Sequence, residues 1–330
     1  MMEYKLLGST ELLVSTIGFG CSPFGDVYNS LDLVEAQRTV HMAIDKGINF
    51  FDVSPYYGIT LAEERLGKVL AGKRHHIVLA TKCGRYGFAD FDYSARAVID
   101  GFDASLLRLK TDYVDLLQVH DVEFGAYEQI VEETLPALRQ IQAAGKARYI
   151  GITGYPLGML ARIASSVPVD SVLTYCRHNL ASTDMDNVLS PIVKRRGVGL
   201  INASPLHMGL LTEPGAPDWH PAPPELKEIG RQVVQFAKTR GLRLSTQALR
   251  FCLDHPDVCS TLVGMSTRKH VAWNLEALNS VSDKEVQLEI RDMFGHLFNY
   301  VWPSGRPENS DHKTCFGHNL HVEGLLNVKG

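Results

Sequence analysis

INFFD (48–52), IVLATK (77–82) and VDLLQVH (114–120) are apolar runs of strand length, and each delivers a polar residue at or just past its end. Those residues are Asp52, Lys82 and His120, and Tyr57 follows the first of them within SPYYG (54–58). A barrel of parallel strands gathers such ends at one face, where barrel enzymes keep their chemistry. A phenol flanked by an ammonium, a carboxylate and an imidazole is a proton-transfer group. The set does not resemble a metal centre or an acyl-transfer triad, and no metal is expected.

Outward from these runs the chain alternates strand-like and helix-like segments. YKLLGSTELLVS (4–15) reads as a hairpin with Gly8 near its turn, and TIGFG (16–20) as the first barrel strand. A helical spacing from Leu33 to Lys46 stops at Gly47, where a left-handed residue ends a helix at little cost. Further strands are read in ARYIGIT (147–153), DSVLTY (170–175), VGLINAS (198–204) and CSTLVG (259–264). Helices are expected over 61–70, over 94–110 with Ser94 as N-cap, before Gly145, up to Arg196, on both sides of Gly241, over 267–278 and over 283–297. A Pro-rich stretch from Glu213 to Glu225 breaks the rhythm, and its Trp219-His220-Pro221 is read as a substrate lid or an anchored loop. Eight strand–helix units imply a (β/α)8 TIM barrel of the α/β class, with an N-terminal β-hairpin and an added C-terminal helix. The expected division is a barrel over 1–302 and a C-terminal tail over 303–330.

Two glycine patterns are decoys. In Gly18-Phe-Gly20-Cys-Ser-Pro23-Phe-Gly25 the third glycine is misplaced for a dinucleotide fingerprint, and Pro23 interrupts the opening helix. Gly67-x4-Gly72-Lys73-Arg74 lacks the final Ser or Thr and follows a helix, so it is not a phosphate loop. The 330 residues carry a formal net charge of −4 without a basic stripe, so nucleic acid is not an expected partner. The six cysteines are scattered through mostly apolar segments, as in a reducing compartment. The opening MMEYKLLGSTE has charge early and no apolar signal core, and no run reaches the length of a membrane helix. The expectation is a cytoplasmic enzyme without membrane contact, its oligomeric state unspecified. His312-x2-Cys315-x2-His318-x2-His321 has ligand types but no common metal spacing. Cys252, His255 and Cys259 read as core residues at helix ends, and His75-His76 as a rim.

GSTELLVSTIGFG, INFFDVSPYYG, LATKCGRYG, YVDLLQVHD, KARYIGIT, ASPLHMGLL and LVGMST together resemble the aldo-keto reductases, in order and spacing, from about Tyr4 to Trp302. SPYYG, ATKCGRYG, HDVEFG, GITGYPLG, the stretch ASPLHMGLLTEPGAPDWHPAPPELK and WPSG narrow the resemblance to sugar dehydrogenases of that family. The resemblance implies a catalytic set of Tyr57, Asp52, Lys82 and His120. Tyr57 moves a proton while hydride passes between substrate carbon and nicotinamide, and Lys82 favours the phenolate and lowers the phenol pKa.

The same resemblance places the cofactor phosphates near the loops after strands seven and eight, at Ser204, Leu206, Gly264, Ser266, Thr267 and Arg268, and the adenine near Asn274. It departs from the family pattern at several positions. Thr153-Gly154 stands where Ser-Asn often holds the carboxamide. Tyr175 and Ala203 replace a Gln and a stacking Tyr, so Tyr175 is expected to take over the stacking. Gly264 and His270 replace the Lys and Arg that hold a 2′-phosphate in NADP-preferring members, which favours NAD, with NADP possible through Arg268-Lys269. The implied reaction is oxidation of a free aldose at C1 to the aldonolactone, with L-galactose the first substrate and L-fucose next. The alternatives are an NADPH-dependent carbonyl reductase and a cofactor-binding regulatory subunit of the kind that attaches to potassium channels.

Overall fold

The computed structural model describes residues 2–311. Its strands are β1 (Tyr4–Leu6), β2 (Leu13–Ser15), β3 (Ile17–Gly20), β4 (Phe50–Asp52), β5 (Val78–Cys83), β6 (Val114–Val119), β7 (Ala147–Gly154), β8 (Ser171–Tyr175), β9 (Gly199–Ala203) and β10 (Val258–Gly264). The first two form an antiparallel hairpin, and the other eight close a parallel barrel in the order β10-β3-β4-β5-β6-β7-β8-β9. The fold is therefore the expected (β/α)8 barrel with its N-terminal hairpin.

The outer helices form where the sequence supplies caps. Asp32 accepts from Glu35 N ahead of α1 (Leu33–Asp45), and Gly47 ends that helix at φ +89°. Helix α2 (Leu61–Val69) packs on α3 (Ala95–Leu109), where a Cβ on Gly67 would lie 2.2 Å from Arg108 O. The phosphate-loop decoy is thus a helix–helix contact. Ser94 caps α3 by accepting from Ala97 N. The ring continues with α4 (Leu135–Ala143), α5 (Leu157–Ser166), α6 (Ser190–Arg196), α7 (Pro224–Thr239), α8 (Leu244–Leu253), α9 (Arg268–Asn279) and the added α10 (Lys284–Met293). Their apolar faces and the outward strand residues form one large core, with Phe19 and Phe51 stacked at 4.8 Å.

The barrel interior is a second core: Phe50, Ala80, Leu116, Leu173, Ile201, Cys259 and Leu262, closed from below by Leu7, Leu12 and Val14 of the hairpin. Cys259 therefore belongs to a strand and the barrel lumen, not to a helix end. Lys5 pins the hairpin by donating to Val258 O at 2.8 Å and to His255 O and Pro256 O at 3.3 Å.

The segment after Trp302, read as tail, is docked as far as Asp311. Asn309 Nδ2 donates to Glu123 O and Gly125 O. Asp311 accepts from Leu157 N and Gly158 N, capping α5, which has Pro156 at its N-cap and so no side-chain cap of its own. Sequence proximity hides this cap, because it arrives from more than 150 residues away. His312, Cys315, His318 and His321 lie outside the described residues.

The hairpin turn is a tight constraint at the closed end. Gly8 has φ +59°, and a Cβ there would lie 2.3 Å from Gly199 N and 2.6 Å from Gly197 O. Gly8→Ala is expected to lower stability by about 2–3 kcal/mol, combining left-handed strain with a backbone clash. Denaturant unfolding checks this: the midpoint should fall, and an unchanged midpoint would show that the hairpin does not brace the barrel.

Candidate active site

The barrel register brings the polar strand ends together. Asp52 is level with Gly20 on β3 and Ala80 on β5, and Lys82 is level with Gln118 on β6. Lys82 is 1 % exposed. An ammonium has three protons to donate, and Lys82 Nζ meets three oxygens: Asp52 Oδ1 at 2.5 Å, Val53 O at 2.9 Å and Tyr57 Oη at 3.3 Å. Burial favours the neutral amine, yet Asp52 and Tyr57 more than reverse that and raise the Lys82 pKa. Burial likewise pushes the Asp52 carboxyl up, while Lys82 and Gln118 pull it down; Gln118 Nε2 donates to Asp52 Oδ2 at 3.0 Å. The pair is held as an ion pair by these extra bonds.

Tyr57 is half-buried in the turn after β4. Its phenol is pushed up to about 12 by burial, with Lys82 acting in the lowering direction. The sequence reading had the sign of the Lys82 contribution but not the net direction, because it had no measure of burial.

His120 Nδ1 lies 3.0 Å from Ser54 Oγ, which also accepts from Tyr56 N. The direction of the Ser54–His120 bond is set by the His120 tautomer: with Nδ1 as the acceptor, Nε2 carries the N–H. Burial, then Lys82 and Arg85, hold His120 well below its ordinary pKa, so it is a neutral hydrogen-bond donor. Its ring meets the Tyr57 ring edge-on at 5.8 Å. All four expected catalytic residues thus converge at one end of the barrel.

Other groups join them that the sequence reading did not name: Gln118, Ser54, Tyr56, Arg85 and Asp121. Arg85 pairs with Asp121 and lies 3.7 Å over the Tyr56 ring, and Asp121 Oδ2 is 3.7 Å from His120 Nε2. Tyr93 Oη donates to both His120 O and Asp121 O. Period-two alternation was a usable signal for Gln118, which shares a strand face with His120. Arg85 and Asp121 lie past strand ends, where no periodicity applies.

The expected cofactor positions form a second group, since β10 lies between β9 and β3. Ser204 follows β9 at φ +55°, and Leu206 packs against the core beside it. Gly264 ends β10, where a Cβ would lie 3.1 Å from Pro23 Cγ. Ser266 Oγ is 3.3 Å from His270 Nδ1, and Thr267 caps α9 by accepting from His270 N. Asn274 is buried on α9, and its Nδ2 has no partner among the described residues.

Arg268 is exposed on the rim but already paired: Glu35 accepts from its guanidinium at 3.0–3.2 Å and from its backbone N at 3.1 Å. Lys269 instead lies 4.5 Å over the Trp273 ring. Thr153 is buried and accepts from Asp121 N, so its hydroxyl oxygen orients Asp121. Tyr175 ends β8 with its ring 5.4 Å from Tyr155. The Pro-rich loop is anchored through His220, not Trp219: His220 Nε2 bonds His207 O and Nδ1 accepts from Ala222 N. Trp219 stays half exposed, 5.6 Å from Tyr28.

Known proteins carry the same plan. The aldo/keto reductase family model matches residues 16–293. L-galactose dehydrogenase of Arabidopsis thaliana is 44% identical, covering 93% of this chain and 99% of its own length. D-arabinose 1-dehydrogenase of Saccharomyces cerevisiae is 30% identical, covering 83% and 88%. The solved structure of an aldo-keto reductase from Bacillus halodurans, in its holo form, superposes with a TM-score of 0.74 at 26% identity, covering 89% of this chain and 96% of that one.

Two substitutions test the proton-transfer set. Tyr57→Phe is expected to keep the fold, by circular dichroism, while kcat falls by about 10²–10⁴-fold. Near-native turnover would remove Tyr57 from the chemistry. Lys82→Met removes the ammonium that lowers the phenol pKa. Oxidation needs the phenolate, so its rate rises as pH passes the phenol pKa. The pH–rate profile should therefore move to higher pH, and an unmoved profile would show that Lys82 does not tune Tyr57.

Proposed function

This chain belongs to the aldo/keto reductase family, and from that premise we propose that it is an NAD-dependent sugar dehydrogenase acting on free aldoses at C1. The observation that carries the reading is the contact of Tyr57 Oη with a buried, Asp52-paired Lys82, beside a neutral His120. When bound at the mouth, an oxidised nicotinamide supplies the hydride acceptor and a positive charge that favours the phenolate. The chain supplies the rest. His120 Nε2–H donates to the oxygen on C1 and fixes the hemiacetal. Tyr57 takes the hydroxyl proton as the C1 hydride departs, and Lys82 stabilises the charge on Tyr57 as it changes. The C1–O bond becomes the lactone carbonyl, and one hydride and one proton leave. In the reverse direction Tyr57 is the acid.

A polyhydroxylated substrate suits the surroundings. The Arg85–Asp121 pair sits beside His120 and offers donors and acceptors to ring hydroxyls, while Tyr56 and Phe88, packed edge to face at 5.9 Å, offer apolar walls. L-galactose is the first substrate to test, given the similarity to the Arabidopsis protein named for it.

The residues present fit a dinucleotide. Asn274 Nδ2 is a buried donor awaiting an acceptor, and Gly264 keeps the strand end clear where a side chain would crowd Pro23. Glu35 supports NAD over NADP. It occupies the Arg268 guanidinium and the first amide of α9, the same donors a 2′-phosphate would seek, and it repels a second anion.

Initial rates on a panel of aldoses with each cofactor test the reading. L-galactose with NAD should give the highest kcat/KM, and NAD should exceed NADP by tenfold or so, about 1.4 kcal/mol. Glu35→Gln, alone or with His270→Arg, should improve use of NADP. Preference for NADP in the unmodified protein would overturn the cofactor assignment. Cofactor binding with negligible turnover on every sugar would favour a regulatory role.

A further inference from the structure

Outside the mouth, on the flank of the barrel, three ligand-type side chains from separate parts of the chain converge. His178 follows β8 by three residues, Asp186 lies in the helical turn Met185–Val188, and His255 follows α8. Asp186 Oδ1 is 2.7 Å from His178 Nδ1 and 3.2 Å from His255 Nε2. One donor atom from each of the three residues lies within 4.8 Å of the other two. They line a cleft of about 330 Å³ between α8 and α10, whose other walls include Phe251, Asp254, Lys284 and Arg291.

Hydrogen bonding accounts for Asp186 Oδ1 and for both His255 nitrogens, Nδ1 accepting from Asp257 N at 3.1 Å, but not for His178 Nε2. His178 is 3 % exposed, and its Nε2 has no partner among the described residues although the residue lines the cleft. A buried ring nitrogen left without a partner is costly unless something answers it. Turning the ring therefore sacrifices no bond at Nε2.

We propose that His178, Asp186 and His255 form a binding site for a first-row divalent transition metal, with an open coordination position facing the cleft. Two imidazoles and one carboxylate are the donor set such ions accept. Tetrahedral ligands at the usual Zn–N and Zn–O lengths stand about 3.3 Å apart, which these side chains reach by moving roughly an ångström. Lys284 and Arg291 on the facing wall oppose a cation, so the site is an exchangeable one. A bound ion ties the connection after β8 to the connection before β10, bracing the barrel flank independently of the catalytic mouth.

The test is calorimetric titration of chelator-stripped, full-length protein with Zn²⁺. One ion per chain is expected, with affinity at least about tenfold weaker in His255→Ala and in Asp186→Asn. X-ray absorption of the Zn²⁺-loaded unmodified protein should show nitrogen and oxygen ligands at about 2.0–2.2 Å, and it keeps the test open if a variant fails to fold. The terminal histidines and Cys315 are the rival. A variant carrying His312→Ala, Cys315→Ser, His318→Ala and His321→Ala should keep the ion. Three results would each overturn the site: no stoichiometric binding, binding unchanged in the His255 and Asp186 variants, or a sulfur ligand at about 2.3 Å.

Discussion

A charged lysine buried inside a barrel is the constraint around which the rest is arranged. Desolvating an ammonium costs several kcal/mol, and only well-placed partners offset it. Lys82 has its partners because one continuous stretch of chain turns around it: β4 gives Asp52, the residue after it gives the Val53 carbonyl, and the following turn gives Tyr57. Gln118 then occupies the second Asp52 oxygen, so the carboxylate is satisfied on both sides. A shift of one residue in the β4–β5 or β5–β6 register would turn Asp52, Lys82 or Gln118 toward the helices and leave a charge in the apolar layer.

That arrangement divides the work between the two ends of the barrel. The lower end is closed by the hairpin, whose leucines and valine complete the lumen core and whose Lys5 ties it to β10. The upper end is left polar and partly open. His120 is held neutral by burial, bonded to Ser54 and surrounded by Tyr56, Tyr57 and the Arg85–Asp121 pair. The C-terminal segment through Asp311 braces the same end. It holds Glu123 and Gly125 and caps α5, while Arg177 bridges to Asp311 and Asp184. Mouth residues on β6 and β7 are thereby fixed by chain that follows the barrel in sequence.

At Tyr57 and His120 burial outweighs the neighbours, whereas at Lys82 the neighbours outweigh burial. Tyr57 titrates high and His120 low for the same reason: in each case the charged form is poorly solvated. A charged ligand therefore has a larger effect here than in water. Glu35 works the other way on the rim. It is an anion placed against Arg268 and an α9 amide, and it marks a cation that the sequence alone presents as available.

The order of strands and helices, the hairpin, the cap at Ser94, and the four residues at the strand ends were all legible in the sequence. Each depends on local information: a period, a cap residue, or a polar residue ending an apolar run. The interactions that were not legible join residues far apart in the chain. Asp311 capping α5, Glu35 engaging Arg268, His178 and His255 meeting at Asp186, and the net upward shift of Tyr57 all depend on which surfaces the closed barrel brings together and how much water it removes. Pattern and chemistry thus determined the barrel and the groups at its mouth. Only the tertiary structure decided which of those groups are paired, which are desolvated and which remain unsatisfied, because distance and burial are properties of the packed chain.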